Sequence, residues 1–398
     1  MNAAELTHNP RVIAGTLAGF EQFQRFRSKL IDPLRDLLPV AVELESVPAA
    51  LISSCSNLLC ARGILVDDQD ASRGKVRLAG PLNQFTLLQG VEDREPPGFL
   101  ELAHVVARAV SARFVDSFDL PGRRTVLRLG SRPLVMGVLN LTPDSFSDGG
   151  RFGNAEQAID AAFAMQELGA DLIDVGAEST RPNAPPVSID DELRRLMPVL
   201  EVLVSRLRVP ISVDTMKAEV AERVLDLGVD MINDASGLDF DPRIAEVVAR
   251  HRSLLVINHM LGSPRTMQDS PRYDDVTAEV CRALRVRLDR AIRAGVNEKT
   301  VILDPGIGFG KRVEDNLDLL ARVSELRSLG RPLLLGCSRK SFLGQVTGRP
   351  VEERGPATAA TTALAALRGV MMVRVHDVRE TVDMLKVLDA INVRLRME

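Results

Sequence analysis

The chain has 398 residues, 45% of them hydrophobic, a formal net charge of −4 and four cysteines. That length exceeds a typical single domain, and the apolar share is enough for sizeable cores. The mild acidity gives no reason to expect a nucleic acid as partner, and no apolar run reaches membrane-spanning length. Met1-Asn-Ala-Ala-Glu5 lacks a basic start, so no signal or anchor is expected and the cytoplasm is the expected compartment. Cys55, Cys60, Cys281 and Cys337 form no CxxC or CxxxH spacing. All four are expected as buried thiols, with neither a disulfide framework nor a zinc site.

In chain order, residues 10–40 carry apolar side chains at helical spacing, with a break at Pro33. Residues 51–61 predict a helix ended by Gly63, and 64–66 and 76–78 predict short strands. Helices follow around 81–92 and 99–113. Together these make a small α/β accessory domain over 1–122 in which no chemistry is visible. Asp116 to Arg124, containing Pro121-Gly122, predicts a linker. From 123 to 398 the pattern changes to eight short apolar runs, each breaking into a polar or glycine-rich turn. They fall at 133–139, 171–175, 210–213, 230–233, 254–258, 300–303, 332–336 and 371–375. Buried parallel strands read as continuous apolar runs, and helices must return the chain between them. Two clear examples are 155–168, ended by Gly169, and 218–227, ended by Gly228. The expected fold is therefore α/β: a (β/α)8 TIM barrel preceded by a small α/β domain, with the chemistry on the loops after the strands.

Those loops are polar at one end throughout. Asn140 stands at the tip of the first strand, followed by Asp144 and Asp148. The second strand opens into Gly176-Ala-Glu-Ser-Thr-Arg-Pro182, the third into Asp214-Thr215, the fourth into Asn233-Asp234 and the fifth into Asn258-His259-Met260. Asp304-Pro-Gly-Ile-Gly-Phe-Gly-Lys311, Ser338-Arg-Lys340 and Arg374-Val-His376-Asp377 complete the set. Carboxylates (Asp214, Asp304) and amides (Asn140, Asn233) suit a ligand rich in N–H donors, such as an amino-substituted heterocycle. Arg374 and His376, with Asn140, suit an anion or phosphate. A magnesium ion carried by phosphates needs only one or two protein oxygens. Plainer roles stand beside these. Asp214, Thr215, Asp234 and Asp377 are all placed to cap helices, and Arg194 and Arg195 form a solvated helix face. Gly306, Gly308 and Gly310 permit a tight turn. Lys311 replaces the third Rossmann glycine, and Arg312 replaces the Ser/Thr of a phosphate loop, so neither signature is present.

Asn140-Leu-Thr-Pro-Asp-Ser-Phe-Ser-Asp-Gly-Gly150 closely resembles the first signature of the dihydropteroate synthase family. The motifs at 176–182, 304–311, 338–340 and 374–377 match its later ones in the same order, so the resemblance covers about residues 125–398. It implies condensation of 6-hydroxymethyl-7,8-dihydropterin diphosphate with p-aminobenzoate, giving dihydropteroate and diphosphate. By resemblance, Asp214, Asn233, Asp304 and Lys340 hold the pterin ring. Asn140, Arg374 and His376 bind the diphosphate and its Mg2+, with Asn140 as the metal's protein ligand. Thr180, Arg181, Pro182, Phe309, Ser338 and Lys340 shape the p-aminobenzoate site. Phe146 and Asp148 close over it with Arg181. Asn140, Asp148, Arg181, Lys340, Arg374 and His376 are the expected catalytic set. The resemblance also suggests a homodimer.

The chain departs from the family pattern at Asn258 and Leu261, where many relatives carry Met and Gln, and at Ile307, where an aromatic is common. Asn258 bears on the pocket floor, yet Met260 and the following Gly-Ser-Pro are retained. The N-terminal stretch is expected to be structural or oligomerising. Two other readings remain open on sequence. A corrinoid-dependent methyltransferase shares the pterin-binding barrel but has no use for the Ser338-Arg339-Lys340 and Arg374/His376 anion set. A non-enzymatic pterin sensor would be favoured by loss of loop residues, and 144–150 and 180–182 are intact.

Overall fold

A computed structural model of the chain describes residues 11–13, 39–70, 75–91, 97–124, 126–141, 151–179 and 185–397. It forms two compact units. One is Met1–Val115 with Ser324–Gly330 and Ala390–Glu398; the other is Asp116–Val323 with Arg331–Asp389.

In the first unit, β1 (Arg11–Ile13), β2 (Pro39–Glu45), β3 (Leu65–Asp67) and β4 (Lys75–Pro81) make an antiparallel sheet in the order β1-β2-β4-β3. Helices α1 (Ala49–Ala61), α2 (Leu82–Leu87) and α3 (Pro97–Arg113) pack with it around Val42, Leu44, Leu78, Phe85, Phe99 and Val106. The helical expectation for 10–40 fails at both ends. Residues 11–13 pair with 41–43, and Val40, Val42 and Leu44 alternate into the core with the two-residue period of a strand. Residues 14–38 lie outside the described residues. Cys60 is exposed on α1, correcting the expectation of four buried thiols; the other three are buried.

The second unit opens with a hairpin, β5 (Phe118–Pro121) and β6 (Val126–Leu129), where a linker was expected. Its leucines explain the difference. Leu120, Leu127 and Leu129 join one apolar cluster with Met136, Leu172, Met231, Leu254, Ile302, Leu334 and Met372. These are inward residues from the N-terminal parts of the barrel strands, so the hairpin plugs that end.

Eight parallel strands follow: β7 (Leu134–Asn140), β8 (Leu172–Gly176), β9 (Ile211–Asp214), β10 (Met231–Asp234), β11 (Leu254–Asn258), β12 (Val301–Asp304), β13 (Leu334–Leu335) and β14 (Met372–Val375). Their order is β12-β11-β10-β9-β8-β7-β14-β13. A single bridge between Leu303 and Leu333 closes the cylinder, with Leu303 N donating to Pro332 O at 3.0 Å. The barrel helices are α4 (Arg151–Glu167), α5 (Ile189–Arg206), α6 (Ala218–Leu227), α7 (Arg243–His251), α8 (Val276–Arg293), α9 (Val313–Ala321), α10 (Ser341–Thr347), α11 (Gly355–Leu367) and α12 (Val378–Met397). Ser188 caps α5 by accepting from Asp191 N, and three acidic residues favour the positive end of its dipole. Gly228 ends α6 in the left-handed conformation, φ 114°. Among the described residues, no helix is long and apolar enough to cross a membrane.

Candidate active site

Strand alternation decides which side chains reach the barrel interior. On β8, Leu172 joins the apolar plug, so Asp174 and Gly176 face the same way; on β10, Met231 carries Asn233 with it. Register then lines up Asn140 with Gly176, Gly176 with Asp214, Asp214 with Asn233, and Asn258 with Asp304. The polar ends of six strands therefore meet at the C-terminal mouth. Gly176 lies between them: a Cβ there would be in ordinary contact, 3.5 Å from Asp214 Cβ and 3.8 Å from Asn140 Oδ1.

Arg374, from β14, ties the acids together. Its Nε donates to Asp174 Oδ2 at 2.6 Å and its Nη2 to Asp214 Oδ2 at 3.0 Å. Asn233 Nδ2 donates to the same Asp174 Oδ2 at 3.0 Å. Burial alone would depress the Arg374 pKa, and the Asp174 and Asp214 carboxylates more than reverse that, so the guanidinium stays charged. Burial pushes Asp214 up to about 7, with Arg374 opposing and Asp174 reinforcing. Asp304 is raised by burial against the pull of Lys340; Lys340 is lowered by burial against the pull of Asp304. These mutual influences place Asp214, Asp304, Lys340 and Arg374 in one electrostatic neighbourhood.

Four buried oxygens in this region have no hydrogen-bond partner: Asp174 Oδ1, Ser212 Oγ, Asn233 Oδ1 and Asn258 Oδ1. They sit on consecutive strands β8 to β11. Buried acceptors left unpaired are costly, and all four can take a hydrogen from a donor-bearing ligand.

The loop after β12 forms the next wall. Gly306, Gly308 and Gly310 have φ of 67°, 83° and 61°, and a Cβ on Gly306 would lie 1.8 Å from His259 O. Lys311 pins this loop from beneath, with Nζ 2.9 Å from His259 Nδ1, 2.9 Å from Gly306 O and 3.1 Å from Phe309 O. Burial lowers both Lys311 and His259 well below their ordinary values. Lys340 donates to Ile307 O and holds its ammonium 4.4 Å from the centre of the Phe309 ring. Phe309 also packs on the methionines Met216, Met260 and Met267. Ser338 Oγ lies 2.9 Å from His376 Nδ1 and accepts from His376 N at 3.2 Å, joining the loops after β13 and β14.

Several plainer expectations are now decided. Asp234 does stabilise its own turn, accepting from Ser236 N and Leu238 N, and burial leaves its pKa at about 6. Thr215 accepts from Lys217 N at 3.3 Å. Asp214 caps nothing: the first amide of α6, Ala218 N, goes to Asp241 Oδ2. The Asp377 carboxylate pairs with Arg339. Arg194 pairs with Asp191 on the surface, but Arg195 reaches back to Ala177 O at 2.8 Å, so it is no mere solvated face.

Sequence reasoning missed Asp174, which is fully buried at the centre of the network. Its signal was an ionisable residue inside the apolar run Leu172-Ile-Asp-Val-Gly176. It also missed a buried clamp below the loop after β8. Lys217 Nζ bonds Glu178 Oε2 at 2.6 Å and also Glu192, while Glu178 Oε1 accepts from Val187 N at 2.9 Å. One carboxylate thereby holds both described ends of that loop. Phe146, Asp148, Thr180, Arg181 and Pro182 lie outside the described residues.

A closed parallel barrel whose mouth gathers acids, amides and buried cations has the architecture of a barrel enzyme with its site at the strands' C-terminal ends. The chain belongs to the pterin binding enzyme family, which matches residues 136–376. Its relatives include the dihydropteroate synthase of Synechocystis sp., 45% identical over 273 residues, 68% of this chain and 94% of that protein. The dihydropteroate synthase of Escherichia coli K12 is also 45% identical, over 65% of this chain and 92% of its own length. Among solved structures, Yersinia pestis dihydropteroate synthase in a sulfonamide drug complex has a TM-score of 0.66 at 42% identity. It covers 69% of this chain and 100% of that one. Xanthomonas albilineans dihydropteroate synthase with 4-aminobenzoic acid has a TM-score of 0.65 at 45% identity, covering 69% and 98%.

Proposed function

We propose that the protein condenses 6-hydroxymethyl-7,8-dihydropterin diphosphate with p-aminobenzoate, yielding 7,8-dihydropteroate and diphosphate for folate biosynthesis. The observation that carries this reading is the row of unpaired buried acceptors at Asp174 and Asn233, beside Asp214 and Asp304. A dihydropterin offers the complement, an amino group and ring N–H donors in one plane. Asp174, Asp214, Asn233 and Asp304 hold the ring, and Lys340 closes its side. Phe309, Lys340 and Ser338 line the approach of p-aminobenzoate. The roles expected of Phe146, Asp148, Thr180, Arg181 and Pro182 rest on the family resemblance.

In the reaction the bond between the exocyclic methylene and the diphosphate oxygen breaks, and the diphosphate leaves with the electron pair. Arg374 and His376 stabilise the charge on the departing oxygens. The aniline nitrogen, whose lone pair is free at neutral pH, forms the new C–N bond and then releases a proton. No protein base has to act before attack. Magnesium is expected with the diphosphate. The described residues hold no cluster of three His, Cys, Asp or Glu, but a phosphate-borne ion needs only one or two protein oxygens. Asn140 Oδ1, a neutral hard oxygen at the tip of β7, fits that requirement. When bound, the ion neutralises charge on the leaving group. A homodimer completes the reading on the resemblance alone, the cytoplasm is the proposed compartment, and residues 1–122 are given a structural or oligomerising role.

The test is diphosphate release from the pterin diphosphate, with and without p-aminobenzoate. Release that requires both substrates is expected. Pterin binding without release when both are present would overturn the synthase reading in favour of a sensor.

A further inference from the structure

Asn258 is a buried amide for which the fold has no use of its own. It ends β11, where Leu254 and Val256 point into the apolar barrel core. Alternation sends Asn258 into the same interior, one layer nearer the mouth. There it pairs in register with Asp304 on one side, and the neighbouring strand on the other side presents Asn233, the partner of Val256. The residue is 4% exposed, and its Oδ1 has no hydrogen-bond partner.

The backbone around it cannot yield. Arg287 Nη1 donates to Asn258 O at 3.2 Å, and His259 N donates to Asp304 O at 3.0 Å. A Cβ on Gly237 would come within 2.1 Å of Asn258 O, and one on Gly306 within 2.6 Å of Asn258 Oδ1. The amide therefore caps no helix, closes no turn and has no room to withdraw. An apolar side chain of similar size would avoid the cost of the unpaired oxygen, so the amide answers to a partner that arrives with the ligand.

We infer that Asn258 is a further substrate-binding and specificity-determining residue, its Oδ1 accepting an N–H from the ring held between Asn233 and Asp304. The inference rests on the proposed function for the identity of that ring. It adds a requirement: the nitrogen heterocycle must carry a donor on the edge that faces β11.

The experiment compares Asn258→Leu with the full-length wild type. Calorimetry should show pterin diphosphate binding weakened about tenfold, the loss of one hydrogen bond that also leaves its donor unpaired. In steady state the larger part of the effect should fall on KM for the pterin, with KM for p-aminobenzoate unmoved. Urea unfolding of the ligand-free variant should show higher stability, because the unpaired oxygen is gone. Opposite movement of affinity and stability is what a purely structural amide would not produce. Should the leucine variant fail to fold, Asn258→Met, with its adaptable unbranched side chain, takes its place. Unchanged pterin affinity, or affinity and stability falling together, overturns the inference. Failure of the wild type to release diphosphate would overturn the proposed reaction instead, and the wild-type control reads that separately.

Discussion

Asp174→Asn should separate the two tasks of a fully buried acid in the site. Both of its hydrogen bonds, from Asn233 Nδ2 at 3.0 Å and Arg374 Nε at 2.6 Å, fall on Oδ2. An asparagine with its carbonyl oxygen at that position keeps both and places its NH2 where Oδ1 now stands. For the ligand-free protein the cost is the loss of the buried ion pair with Arg374, about 3 kcal/mol. For the ring the consequence is separate. A substrate N–H that met an acceptor now meets a donor, so the bond is lost and two N–H groups are left buried and unpaired. That costs about 3–4 kcal/mol, or roughly 10²–10³-fold in affinity. Isothermal calorimetry gives the affinity, and urea unfolding gives the stability of the same preparation. A large stability loss with unchanged pterin affinity would refute the reasoning, because it would make Asp174 a structural partner of Arg374 and nothing more.

Lys217→Met should strand the fully buried Glu192 beside Glu178, lowering stability in urea unfolding by about 3–5 kcal/mol, with Glu192→Gln recovering part of the loss. Gly306→Ala combines a left-handed φ of 67° with a Cβ 1.8 Å from His259 O. Chemical denaturation should show a loss of about 3 kcal/mol or more, or no folded protein. Asp214, raised by burial to about 7, holds its proton in the folded state where the unfolded chain has released it. Its contribution to stability is full below about pH 4 and is lost as pH rises through about 7. Ring N–H donors favour the carboxylate, so pterin affinity should rise across that upper limit, with proton release detectable by calorimetry in buffers of different ionisation enthalpy; a flat profile would contradict this.

The barrel was legible because its strands are predominantly apolar runs and most mouth residues stand at or just after the ends of those runs. The span of α6 was read residue for residue, since Ala218 to Leu227 carries both the helical period and the Gly228 stop. What escaped depended on partners distant in sequence. Asp174 lies inside an apolar strand, and only closure of the cylinder brings it to Arg374, 200 residues away. Glu192 is one of three acids in the first turn of α5, and its partner Lys217 lies 25 positions on. The hairpin at 118–129 was hidden by its own turn: Pro121-Gly122 punctuates a linker as well as a tight reversal. Strand β2 was lost beside residues with helical spacing, because seven alternating residues are a short signal against a longer one.

The mouth of the barrel is selective because its charges are already matched. Arg374 spans Asp174 and Asp214, and Lys340 opposes Asp304. A cation entering this pocket would compete with a guanidinium that is prepaid in desolvation and held by two carboxylates, so positive charge alone gains little there. A neutral, donor-rich ring faces a different balance. Asp174 Oδ1, Asn233 Oδ1 and Asn258 Oδ1 have no protein partner, so each is open to a hydrogen from a ligand. Under the proposed function, a ligand with hydrogens in the plane of those oxygens would pair them. On that proposal the ring is recognised by hydrogen-bond direction, and the ion pairs of Arg374 with Asp174 and Asp214 also hold the acceptors in place.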